Sequence, residues 1–312
     1  MPGLGAARLA LHLTIALLCA VILISVPISS VTVDTDGMIA LLVIVAVLSL
    51  AMVCCRAFKW TALAMIFESW AVFVAAAFLA IILTFVAAST NRPMIDETLV
   101  RWDRALGFDW LTFVKAVDAS PDMMVWLQHA YKSMSKQLLL LPIVLVFVNQ
   151  APRAYVMLTS FIVLTLAASI IFIWSPSVSP YHYWGLKPGD LTNLDPNWAT
   201  WVERLREVRD AQTFLFSLEK ADGIVTMPSV HAGAAVVCAW ATWHVPGLKY
   251  VSVVWNFLMS ISAIVIGCHY LIDILVGWAM AVFVIYAVLR LCKWYEQQVV
   301  DLGATEQAAA AR

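Results

Sequence analysis

Long apolar runs separated by short polar connectors set the pattern of this chain. A bilayer core of about 30 Å needs about 20 apolar residues of helix. Eight stretches approach that length, at approximately 9–33, 38–55, 60–89, 126–149, 154–174, 228–245, 250–268 and 270–292. "DTDG" (34–37), "RAFK" (56–59), "NQAPR" (149–153) and "HVPGLK" (244–249) join most of them. The first run has the look of a signal peptide, but it is long enough to span and has no clear small-residue cleavage site, so a retained helix is expected. Connectors 90–125 and 175–227 are long. Their "MIDETLVRWDRALGFDWLTFVKAV" and "NWATWVERLREVRD" mix aromatic, apolar and charged residues at helical spacing, which predicts short helices lying in the interface. Such helices serve equally well as plain amphipathic lids or as parts of a site. No internal repeat and no flexible linker divides the chain, so the pattern predicts one all-α domain, a polytopic membrane bundle of about eight transmembrane helices.

Composition agrees. The 312 residues are 63% hydrophobic and 12% charged, with a mean hydropathy of +0.88, against about 45–50% and about 25% for soluble domains. A net charge of −1 without a basic run excludes a nucleic-acid footprint. Six cysteines lie in or beside apolar runs with neither metal-type spacing nor a disulfide framework, and read as small hydrophobes. The fourteen tryptophans, Trp174, Trp184, Trp198 and Trp201 among them, read as interfacial anchors.

Charge also orients the bundle. If the spans alternate, Arg56 with Lys59, Arg153, Lys249, and Arg290 with Lys293 share one side, and Asp34 and Asp36 take the other. The excess of basic residues on the cytoplasmic side predicts a multi-pass plasma (inner) membrane protein with both termini cytoplasmic. Both long connectors then face the exterior or periplasm.

Three ionisable groups fall at that outer face. His269 and Asp273, in "IGCHYLIDILVGW", are four residues apart and share one helical face. His231, in "MPSVHAGAAVVCAWATW", begins another span at the same depth. Ionisable residues at membrane depth mark function by default, although a His–Asp pair also serves as a simple interhelical hydrogen bond. His/His/Asp sets bind zinc too, but the H-E-x-x-H spacing is absent and no second carboxylate is near in sequence. The expected site therefore holds no metal, and no cofactor is implied.

The pairing of Pro228-Ser229-x-His231 with His269-x3-Asp273 about forty residues later resembles the type-2 phosphatidic acid phosphatase superfamily. The resemblance covers about residues 60–293 and implies a six-helix catalytic core there, with two extra helices in 1–59 and a cytoplasmic tail in 294–312. It implies His269 as nucleophile, His231 as acid, Asp273 as the orienting carboxylate and Ser229 as a substrate-binding position. Three family positions differ. Val230 replaces a glycine, Ala263 an arginine, and Phe85 the lysine that precedes Arg92-Pro93. With these changes "PSVHAG" and "CHYLIDILVGW" are similar to the inositol phosphorylceramide synthase, or aureobasidin-resistance, branch, and "DRALGFDW" resembles its bacterial members.

Phosphoryl transfer needs an oriented nucleophile and positive charge around the phosphate oxygens. Two replacements for the missing clamp present themselves. His129, Lys132, Ser133 and Lys136 follow i, i+3, i+4, i+7 and form one polar stripe if helical. Lys132 and Lys136 then either line the bundle interior or snorkel to the headgroups. "YHYWGLK" (181–187) offers His182 and Lys187, or plain interface residues. Glu68 reads as a helix-packing hydrogen bond, and His12 and His244 as incidental. Three functions follow: an outward-facing lipid phosphotransferase moving a phospho-head group from a membrane phospholipid or lipid phosphate to a lipid or polyol acceptor; a lipid phosphate phosphatase with water as acceptor; or a transporter or scaffold.

Overall fold

The computed structural model describes residues 1–195, 198–220 and 222–310. Two long helices, α3 (Thr61–Ala88) and α8 (Ala151–Trp174), form its middle and are buried along most of their length. Around them stand α1 (Leu4–Ser25), α2 (Thr35–Ala57), the pair α6 (Pro121–Tyr131) and α7 (Ser133–Phe147), α11 (Val230–Thr242), α12 (Leu248–Val265) and α13 (Leu271–Ala310). Over one end lie α4 (Asp96–Ala105), α5 (Trp110–Asp118), α9 (Pro180–Tyr183) and α10 (Trp198–Asp210). Six of these helices are long and apolar enough to cross a bilayer, and α6 with α7 makes a seventh as a bent pair. The chain is a multi-pass membrane protein.

Three of the expected spans differ in shape. The first helix stops at Ser25, because Pro27 cannot continue it, and the β-branched Val31–Val33 become strand β1. β1 pairs in parallel with β2 (Phe214–Phe216), Val31 opposite Phe214 and Val33 opposite Phe216. Phe214 stacks on Phe85 at 5.3 Å, and Phe216 meets Phe78 and Phe85 edge-on at 5.7 and 5.1 Å. The second long connector is thereby fastened to α3. The fourth span bends by 48° at Lys132. Ser133 Oγ donates to the Ala130 carbonyl at 2.6 Å and accepts from Trp255 Nε1 at 2.9 Å and Gln137 Nε2 at 3.1 Å, so the bend has a side-chain cause. The sixth is short: α11 has 13 residues, about 20 Å of rise. Pro228 disfavours helix at Met227, and residues 223–229 enter as irregular chain with bends at Met227 and Pro228.

The two N-terminal helices are not equivalent. α1 buries Ala7, Leu11 and Leu18 against the bundle, whereas most of α2 is exposed. At the end of the bundle away from α4, α5 and α10, the carboxylate of Glu68 is a hub. Arg8 Nε reaches it at 2.6 Å, Tyr155 Oη at 2.7 Å, His12 Nε2 at 3.1 Å and Arg56 at 3.2 Å. His12, expected to be incidental, is thus part of a network. Arg153, at the same end, donates from Nε to the Ala241 carbonyl at 2.9 Å and covers the Trp240 ring at 4.4 Å.

Glu68→Gln keeps the shape of this hub but removes the charge that two guanidinium groups share. Arg8 and Arg56 are 38% and 43% exposed, so water screens part of the loss, and about 1–2 kcal/mol of stability is expected to go. The measurement is the thermal midpoint of the purified protein in detergent. An unchanged midpoint for both Glu68→Gln and Glu68→Ala would show that the hub carries no stability.

Candidate active site

The two halves of the site meet where α11 crosses α13, and glycine sets their distance. A Cβ on Gly277 would lie 2.4 Å from the Ser229 carbonyl oxygen, and one on Gly233 2.6 Å from a Leu164 methyl and 3.2 Å from the Gly277 carbonyl. At that separation the backbone N–H of Ser229 donates to the Asp273 carbonyl at 3.0 Å. Ser229 Oγ, in turn, accepts from Ala232 N at 3.3 Å and caps α11.

His269 lies in the link between α12 and α13. Its N–H donates to the Ala263 carbonyl at 3.2 Å, and its own carbonyl accepts from Trp110 Nε1 at 3.1 Å. Nδ1 stands 3.3 Å from Asp273 Oδ2, which also accepts from the Tyr270 N–H at 2.9 Å. The His–Asp contact is long for a hydrogen bond, as catalytic contacts often are before substrate binds. Nε2 is the ring nitrogen that does not face Asp273. The preceding Cys268 has φ 59°, in the left-handed region that a non-glycine residue seldom adopts. Gly267 has no room for a side chain: a Cβ there would be 2.7 Å from Tyr131 Cε2, 2.8 Å from the Ala263 carbonyl and 3.0 Å from His269 Cδ2.

His231 stacks flat on Tyr131, ring centroids 3.9 Å apart and planes 12° from parallel. Both histidines line one cavity of about 440 Å³. Tyr131, Lys132 and Gly267 also line it, as does Asp222, which is ion-paired to Arg204 on α10. The remaining wall is mostly apolar. Asp273 sits behind His269 with no exposed surface.

The first long connector turns out to build this site. Asp103 of α4 accepts from the N–H groups of Leu271 and Ile272, each at 2.9 Å, and so caps the helix that carries Asp273. Burial pushes the Asp103 carboxyl above its ordinary pKa, against the lowering effect of those two donors. Asp96, two turns earlier on the same face of α4, accepts from the N–H groups of Val178 and Ser179 at 3.1 and 3.2 Å and from Tyr270 Oη at 2.9 Å. Asp118 accepts from Thr192 N at 2.7 Å and Asn193 N at 2.9 Å, tying the two connectors together. The seven-residue spacing of Asp96 and Asp103 on an amphipathic helix was a readable signal that both face inward. Tyr131 and Gly267 carried none.

Of the five candidate clamp and contact residues, Lys132 alone is in the cavity wall. Lys136 is exposed elsewhere, because the bend at Lys132 breaks the continuous stripe, and Ser133 is used up in helix packing. Lys187 is exposed outside the cavity. His182 meets Arg206 at 3.0 Å, and burial with that neighbouring guanidinium lowers its pKa. Ser229 is also outside the wall, fully buried as a helix cap. The positions that differ from the family pattern are filled by packing: Phe85 is buried among Phe214 and Phe216, and Ala263 belongs to an apolar cluster with Trp110, Tyr181 and Trp198. Among the described residues no three His, Cys, Asp or Glu side chains come together as a metal-binding group.

The stretch that carries both histidines and Asp273 has a counterpart among protein families. The PAP2 superfamily model matches residues 97–287, from α4 to α13, and the chain belongs to that superfamily. It is a membrane enzyme of the phosphatase or phosphotransferase type, with lipid phosphates as the substrates that the family implies. No curated protein and no solved structure matches the chain.

The two lysines give a sharp test. A charge-assisted hydrogen bond to phosphate contributes about 1.5–3 kcal/mol, so Lys132→Met is expected to lower kcat/KM by about tenfold to a hundredfold or somewhat more. Lys136→Met should leave it within about twofold. Phosphate-ester turnover at matched expression compares them, and equal losses would mean that the wall of the cavity does not decide which lysine matters.

Proposed function

We propose that the protein is a lipid phosphotransferase of the inositolphosphotransferase-like branch, working through a phosphohistidine on His269. The observation that carries this reading is the shared cavity: two histidines and one lysine at one end, an apolar wall beyond. A neutral imidazole is a competent nucleophile near neutral pH. Asp273 holds Nδ1–H and so presents the Nε2 lone pair to phosphorus. As the P–N bond forms, the bond from phosphorus to the leaving oxygen breaks, and protonated His231 gives that oxygen its proton. An acceptor hydroxyl then attacks phosphorus, His231 takes its proton, and the P–N bond breaks. Tyr131 supports the step in which His231 is charged, since the face of an aromatic ring attracts a cation. Lys132 balances charge on the phosphate oxygens. Asp96, Asp103 and Trp110 act as positioning residues through the α13 end. A mostly apolar wall suits a lipid or polyol acceptor held in place of water; with water as acceptor the same groups give a lipid phosphate phosphatase. Membership of an enzyme superfamily leaves the transporter and scaffold readings without support.

His269→Ala is expected to abolish both transfer and hydrolysis, because no phosphoenzyme can form. His231→Ala should be as severe for alkyl esters but markedly milder for nitrophenyl esters, whose leaving group departs without a proton. Steady-state rates on the two ester classes decide the point, and equal losses would remove His231 as the acid. Activity is expected to persist in chelator.

The outward orientation is also part of this proposal. Arg56 and Arg153 stand at the end of the bundle opposite the cavity mouth, and clustered basic residues favour the cytoplasmic side. Lys187 and Ala57 are both exposed, one at each end. In a cysteine-free variant, Lys187→Cys should react with an impermeant maleimide on intact cells and Ala57→Cys should not. The opposite labelling would place the site in the cytoplasm.

A further inference from the structure

The cavity is longer than phosphoryl chemistry needs. Beyond the histidines it runs along one face of α3, touching Thr84, Ile81, Ala80, Ala77 and Phe73, positions that fall together at helical spacing. Eleven residues of α3 separate Thr84 from Phe73, about 16 Å of rise. Met134 and Leu138 of α7 and Thr165 and Phe161 of α8 form the facing wall. At the far end the rings of Phe73 and Phe161 meet, centroids 6.1 Å apart and planes tilted by 50°, and both are almost wholly buried. Phe73 is 12 residues from the start of α3 and 15 from its end, close to mid-membrane. The slot therefore reaches from the histidine level to about the bilayer midplane, a depth near the 15 Å or so of one hydrocarbon leaflet.

We infer that this slot receives one alkyl chain of the phosphorylated lipid, and that Phe73 and Phe161 are its floor and limit the chain length. Alanine at 77 and 80 leaves the width for a single chain, and an apolar wall gives such a chain the same solvent it has in the bilayer. An extended chain advances about 1.2 Å per bond, as the backbone does at about 3.5 Å per three bonds, so 16 Å holds about 13 or 14 carbons. The inference rests on the lipid-phosphate reading above, and names the specificity-determining residues of that site.

The test uses the full-length protein in detergent and monoalkyl phosphates of 8 to 18 carbons. For the wild type, kcat/KM should rise to about 14 carbons and then level or fall. A chain that outruns the floor leaves methylenes outside the slot, at a factor of up to about four for each one held in water. Phe73→Ala should therefore raise the 18-to-14 carbon ratio of kcat/KM about tenfold or more. Ala80→Phe, which blocks the slot about 6 Å below Thr84, should invert the 14-to-8 carbon preference. Ratios within one variant are unaffected by a general loss of activity. A 14-carbon alkyl phosphate with a diazirine at its terminal carbon supplies a readout independent of turnover, and should label peptides containing Phe73 or Phe161. Turnover without chain-length preference, or labelling confined to exposed helices such as α2, overturns the slot and leaves the phosphoryl chemistry standing. If no alkyl phosphate is consumed but the floor peptides are labelled, the slot stands and the catalytic reading fails.

Discussion

Everything at the catalytic end depends on how closely α11 approaches α13. The Ser229 N–H to Asp273 carbonyl bond is possible only because glycine stands at 233 and 277. In lipid there is no hydrophobic force between helices, so association relies on close packing and hydrogen bonds. A side chain at either position would push the helices apart and separate His231 from His269. The two motifs are thus one object mechanically, though nearly forty residues lie between them.

The second constraint is that a helix beginning at membrane depth must have its first N–H groups satisfied. α11 solves this with its own Ser229. α13 borrows Asp103 from α4, a helix more than 160 residues earlier. That loan explains why the long connectors are ordered parts of the enzyme. Asp96 and Trp110 bond to Tyr270 and to the His269 carbonyl, so the loop carrying His269, with its left-handed Cys268, is held by the first long connector. A strained link survives when its surroundings over-determine it.

Where the family pattern is broken, packing has taken over. Phe85 became a platform for the β1–β2 pair and Ala263 a member of an aromatic cluster. A cation at either position would be buried without a partner, which is costly. Lys132 reaches the cavity from the other direction, at the α6–α7 bend. Polar chemistry is concentrated at one end of the cavity, and the remainder is free to match a lipid.

The sequence by itself determined the membrane bundle, the approximate position of its spans and the residues Pro228 to His231 and His269 to Asp273. Those signals are local: apolar length, i,i+4 spacing and short motifs. Tertiary structure decided what depends on the path of the chain. The 48° bend put Lys132 in the cavity and Lys136 outside it. The α11–α13 crossing turned Ser229 into a buried cap. Lid-like segments became supports through Asp96, Asp103 and Asp118, and His12 joined Glu68 across two helices. A bend of one helix, or a contact between residues a hundred positions apart, changes which groups face one another without altering the periodicity of either segment.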